Sequence, residues 1–198
     1  MTVLIPMLIE GLHVLLQTRS DILLTPTLET VLGGAVIFFG LSLLVWGDFA
    51  REGGNVTATS AGYVSVLAGG LGFIWGAAFL FRRSIIGAMV VAVFGMIFID
   101  AGWHTINDTE LGGHGVLNLG MTGVTAIVAI FFSLTPATYL LALAGWSYVL
   151  ALLAFGGFCY WGGDRWRRFF VGICFFDGAI TTCLYGVLLI LGWAGFGL

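Results

Sequence analysis

The stretch FFVGICFFDGAITTCLYGVLLILGW, residues 169–193, decides the fold of this chain. It carries a single charged side chain, Asp177, near its middle. A helix of this length crosses the roughly 30 Å hydrocarbon core of a bilayer. A carboxylate at the bilayer centre costs roughly 2.5–3.5 kcal/mol on insertion scales, so we expect Asp177 to face the interior of a helix bundle or a water-filled path.

The composition extends this interpretation to the whole chain. Hydrophobic residues make up 60% of the 198 residues and charged residues 9%, whereas about 25% of a typical soluble domain is charged. We therefore predict an all-α integral membrane protein, surrounded by a lipid bilayer. We expect that bilayer to be a bacterial or archaeal cell membrane. The net charge of −3 is small, so we expect no nucleic-acid partner.

Apolar runs separated by short polar loops predict a six-helix transmembrane bundle. We expect residues 1–29 to form an amphipathic segment at the membrane surface and residues 30–198 to form the six-span transmembrane domain. The predicted spans cover residues 31–49, 61–81, 84–103, 115–134, 136–161 and 169–193. Polar residues place a loop at 104–113 and another at 162–168, immediately before the sixth span.

Helical spacing places Thr181 and Tyr185 on the face of the sixth span that carries Asp177. A carboxylate, a hydroxyl and a phenol on one face suit hydrogen bonding to a polar solute or to water. The alternative is that Asp177 only anchors its helix to a neighbouring helix. We favour a functional role because ionisable residues inside a membrane are functional by default.

A second polar cluster lies where the third span ends and the fourth begins. Asp100 and His104 are four residues apart, His114 follows in the fourth span, and Asn118 is one turn further on. Imidazole and carboxylate groups bind Zn, Cu or Fe. Asp100, His104 and His114 are therefore a candidate copper or zinc site, with a simple polar helix cap as the alternative. Apart from this site we expect no cofactor.

Several short motifs resemble the urea/amide channel family. The pairs Gly69-Gly70 in the second span and Phe94-Gly95 in the third are similar to motifs of its second and third helices. The pair Asp177-Gly178 is similar to the acidic or amide residue and glycine of its sixth helix. The resemblance implies a passive channel for small neutral polar solutes, such as urea or short-chain amides. It also implies a homo-oligomer with one pore in each protomer, and a channel rather than an enzyme.

The same resemblance implies a set of pore-lining residues. Trp146 matches a tryptophan on the fifth helix of the family, and it would form a narrow apolar constriction together with phenylalanines such as Phe94. Asp177, Thr181 and Tyr185 would supply the hydrogen-bond partners for an amide.

Two alternatives to a channel follow from the rest of the sequence. The spacing of Asp100, His104 and His114 is similar to the copper site in the small multi-span subunit of membrane methane/ammonia monooxygenases. This local likeness implies a metal-binding subunit of a membrane oxidoreductase. The other alternative is a structural accessory subunit of a larger membrane complex.

Overall fold

The computed structural model describes residues 28–81, 85–134 and 139–191, which are helical apart from short loops. The first five spans, α1 to α5 in chain order, are Leu28–Ala50, Ala58–Phe81, Ile85–Ile106, Gly112–Ser133 and Tyr139–Trp161. The sixth span is a continuous rod of three parts, which are α6 (Gly163–Phe176), a π-helical segment (Asp177–Leu184) and α7 (Tyr185–Ile190). Residues 1–27 of the predicted amphipathic segment lie outside the described residues, and the last two of that segment belong to α1.

The helices have the length and composition of an integral membrane protein. Apolar stretches long enough to cross a bilayer occupy Gly33–Ala50, Ala58–Ala77, Gly112–Ile130, Ala142–Trp161 and Gly163–Ile190. Helix α3 contributes a shorter apolar stretch, Val91–Ile106. The predicted all-α membrane bundle of six helices is confirmed.

The six spans are arranged as a ring. In order around the ring they are α3, α2, α1, the sixth span, α5 and α4, each packed on the next. Helices α3 and α4, which would close the ring, touch each other little. The loops after α1, α3 and α5 lie at one end of the ring, which we call the charged end. Within the described residues, the Asp, Glu, Arg and His positions lie within two turns of the charged end, except Asp177 and Glu29, which stands in the first turn of α1.

A chain of hydrogen bonds holds three of the spans together. The indole N–H of Trp46 on α1 donates to Oγ of Ser65 on α2 at 3.2 Å. The Ser65 hydroxyl in turn donates to the backbone carbonyl of Phe98 on α3 at 2.8 Å. All three residues are buried, so these bonds replace hydrogen bonds that the polar groups would otherwise make to water.

The sixth span approaches α1 so closely that their backbones touch. A Cβ atom added to Gly40 would lie 2.9 Å from the carbonyl oxygen of Gly178, and one added to Gly33 would lie 2.6 Å from that of Gly186. The two contacts are seven residues apart on α1 and eight residues apart on the sixth span. The π-helical segment has wider turns than an α-helix, and it lies between Gly178 and Gly186, so it takes up the additional residue.

The predicted loop at 162–168 is wrong in most of its length. Helix α6 begins at Gly163, and only Gly162 separates it from α5. The turn is this short because Gly162 and Gly163 adopt φ values of +62° and +80°, which glycine tolerates without a steric penalty. The arginines that suggested a loop instead lie in the first turns of α6, where Arg167 and Arg168 form ion pairs with Asp164.

We predict that Gly40→Ala lowers the thermal unfolding midpoint of the detergent-solubilised protein. The added methyl group would meet the Gly178 carbonyl and the Thr182 side chain within 3 Å, and overpacking of this kind costs about 1–3 kcal/mol. Gly70→Ala is the matched control, because a Cβ atom at Gly70 meets nothing within 4 Å. Equal midpoints for the two variants would contradict the close contact between α1 and the sixth span.

Candidate functional site

Asp177 is the first residue of the π-helical segment and is 1% exposed. The Thr182 hydroxyl donates a hydrogen bond to its Oδ1 at 3.2 Å. On the neighbouring α5, the Ser147 side chain lies within hydrogen-bonding reach of the same carboxylate, and the Tyr148 hydroxyl lies beside Asp177 and Thr182. The carboxylate therefore belongs to a buried polar cluster between the sixth span and α5.

The π-helical geometry brings the Thr182 hydroxyl to the carboxylate. Spacing in an α-helix pointed to Thr181, four residues after Asp177, whereas the structure pairs Asp177 with Thr182, five residues on. The Thr181 side chain lies outside the part of the chain that the structure describes. Ser147 and Tyr148 were missed as well, and their only signal in the sequence is that they are adjacent polar residues in an apolar span.

Two cavities lie in line inside the ring of helices. The larger, of about 280 Å³, occupies the half of the bundle away from the charged end, and its walls include Phe39 of α1, Phe94 of α3 and Tyr185 of α7. The smaller, of about 40 Å³, lies towards the charged end and is bordered by α1, α3, α4, α5 and α6. We call them the large cavity and the small cavity.

Phe94 and Tyr148 line both cavities and stand between them. Their ring centroids are 4.7 Å apart. The large cavity, the ring pair and the small cavity therefore follow one another along the axis of the bundle, with the ring pair as the obstruction between them.

Asn118 is the polar residue of α4 that lines the small cavity. It is completely buried, and its amide N–H donates to the backbone carbonyl of His114 at 2.8 Å. Its Oδ1 has no hydrogen-bond partner within the described residues. Buried polar atoms without a partner are rare in native structures, so Asn118 is a candidate binding residue.

The structure brings Asp100, His104 and His114 together at the charged end. The His114 Nδ1–H donates to Oδ2 of Asp100 at 2.5 Å, and Nε2 of His104 lies 3.6 Å from Oδ1 of the same carboxylate. His104 is also hydrogen bonded through Nδ1 to the Thr109 hydroxyl. Within the described residues, no group of three or more His, Cys, Asp and Glu side chains is arranged to hold a metal ion. The copper or zinc site stays a prediction.

Trp146 lies on the outer surface of the bundle and is 40% exposed. Its indole N–H donates to Oγ of Ser133 at 3.1 Å, which joins α5 to α4. Trp146 lines neither the large nor the small cavity. Of the five residues predicted to line a pore, Phe94 lines both cavities and Tyr185 lines the large one, while Asp177 lies behind Tyr148.

Comparison with models of known protein families found no match, and neither did comparisons with curated proteins and with solved structures. The resemblances noted from the sequence therefore remain predictions.

We predict that Asp100→Ala lowers the thermal unfolding midpoint of the solubilised protein. The substitution leaves the Nδ1–H of His114, whose side chain is fully buried, without its acceptor, at a cost of about 1–3 kcal/mol. Glu110→Ala, in the same loop region but exposed, should leave the midpoint unchanged. A midpoint for Asp100→Ala equal to that of the unaltered protein would show that the bond between α3 and α4 contributes nothing.

Proposed function

We propose that this protein is a passive membrane channel for small neutral polar solutes such as urea or short-chain amides. The observation that carries the proposal is the alignment of the two cavities along the axis of a ring of membrane-spanning helices, with Phe94 and Tyr148 between them. A path inside one chain gives each copy a pore of its own, which suits the homo-oligomer that the family resemblance implies.

The walls of the path favour neutral solutes over ions. Within the described residues, no charged side chain lines either cavity, and most lining residues are Phe, Val, Leu and Ala. An ion that entered would lose its hydration shell without gaining a charged partner, which is a large penalty. Asn118, Thr125, Tyr148 and Tyr185 are the residues with polar side-chain oxygens among those that line the two cavities. Pore diameter and lining groups together determine selectivity.

The path is closed at the Phe94–Tyr148 pair in this conformation. Phe94 also approaches Phe39 of α1, with a centroid distance of 6.3 Å, so the obstruction is formed by side chains and not by backbone. Rotation of aromatic side chains opens such an obstruction without a change in the helix arrangement. The buried cluster around Asp177 lies beside the Tyr148 hydroxyl.

We predict that the purified protein in liposomes accelerates urea and acetamide flux, and that Phe94→Leu increases this flux. The smaller side chain widens the passage between the two cavities. Phe73→Leu is the matched control, because Phe73 on α2 is exposed on the outside of the bundle. Flux is measured from the light scattering of vesicles in a stopped-flow instrument after osmotic shock. If the unaltered protein gives no flux above that of empty liposomes, the channel is refuted.

A metal-binding subunit of a membrane oxidoreductase is the second candidate, because Asp100, His104 and His114 do meet at the charged end. This candidate predicts about one copper or zinc ion per chain in metal analysis of the purified protein, lost in His104→Ala. The channel predicts no such stoichiometric metal. A protein with neither flux nor metal would favour the third alternative, a structural accessory subunit.

A further inference from the structure

The Asn118 side chain has an orientation that leaves its amide oxygen without a partner among the described residues. A backbone carbonyl can only accept hydrogen bonds, so the side-chain nitrogen of Asn118 must face the carbonyl of His114, to which it donates at 2.8 Å. Its Oδ1 is the remaining polar atom, and it is buried without a hydrogen-bond partner in the described part of the chain. One of the two amide N–H groups of Asn118 is therefore used on its own helix, and Oδ1 remains as an acceptor for a solute.

Asn118 lies in the wall of the small cavity. Asn118 and Tyr148 are the residues with polar side-chain oxygens among those that line the small cavity, and they belong to different helices, α4 and α5. The remaining lining residues are mainly aromatic and aliphatic, and include Trp46, Phe94 and Phe155. The small cavity has about one seventh of the volume of the large one, so a solute here is in close contact with its walls.

We propose that Asn118 is a specificity-determining residue of the channel, which selects solutes that carry N–H donors. This inference rests on the proposed function. A primary amide or urea donates an N–H to Oδ1 of Asn118 as it passes through the small cavity. An amide without N–H leaves that oxygen buried and unpaired while it occupies the cavity. A site built to hydrogen bond one group rejects an analogue that lacks it more strongly than an apolar pocket rejects a change in size.

The sharpest test compares propionamide with N,N-dimethylformamide in proteoliposomes. The two compounds are constitutional isomers with the same carbonyl acceptor, but the first has two N–H donors and the second has none. Flux through empty liposomes is subtracted for each compound. We expect the protein-dependent flux of propionamide to exceed that of its isomer roughly fivefold, the factor that corresponds to one net hydrogen bond.

Asn118→Leu should bring the ratio of the two fluxes close to one, because leucine has a similar size and no acceptor. Asn107→Leu is the matched control: Asn107 makes the same bond to the carbonyl four residues earlier, that of Trp103, but it is exposed in the loop after α3. It should keep the ratio of the unaltered protein. If Asn118→Leu does not reach the membrane, Asn118→Ala serves the same comparison.

The outcomes separate this inference from the channel itself. Flux of urea and both isomers with a ratio near one in the unaltered protein overturns the role of Asn118 and leaves the channel intact. If Asn118→Leu leaves the ratio of propionamide flux to N,N-dimethylformamide flux unchanged, the role of Asn118 is likewise overturned and the channel stays intact. Absence of protein-dependent flux for every solute refutes the channel, and the inference with it.

Discussion

The backbone contact between α1 and the sixth span is the constraint on which the interior of the bundle depends. Gly33 and Gly40 meet Gly186 and Gly178, and no side chain fits between them. One residue corresponds to about 100° of rotation in an α-helix. Without the wider turns of the π-helical segment, the two contacts could not both be made. The same segment begins with Asp177 and brings Thr182 to its carboxylate, so the packing of the backbones and the position of the buried charge have one cause.

The helices of the ring do not all pack equally closely on their neighbours, and this leaves room inside the ring. Glycine contacts join α2 to α3 at Gly69 and Gly95, much as they join α1 to the sixth span. Helices α3 and α4 lack such an approach, although they are consecutive in the chain, and the bond between Asp100 and His114 links them near the charged end. Both cavities are lined by residues of α1, α3, α4, α5 and the sixth span, and thus include the two helices that pack loosely on each other.

The buried polar side chains differ in how completely they are hydrogen bonded. Ser65 receives one hydrogen bond and donates another, and Asp177 is bonded by Thr182, so both are integrated into the packing. Asn118 uses one N–H on its own helix and keeps a buried acceptor beside the small cavity. In an apolar surrounding such an atom is costly, and a passing solute with an N–H group is what would compensate the cost.

The sequence by itself determined the class of fold, because apolar runs as long as a bilayer is thick admit little else than membrane-spanning helices. It also identified Asp177, Asp100 and His114 as residues of interest, since polar groups in apolar helices are conspicuous. Only the tertiary structure decided which side chains these residues contact. Thr182 reaches the Asp177 carboxylate because a π-helical segment follows from packing between distant glycines, which no local spacing reveals. Trp146 lies on the surface and Tyr148 in the interior because the direction in which a uniformly apolar helix faces depends on its neighbours in the ring and not on its own residues.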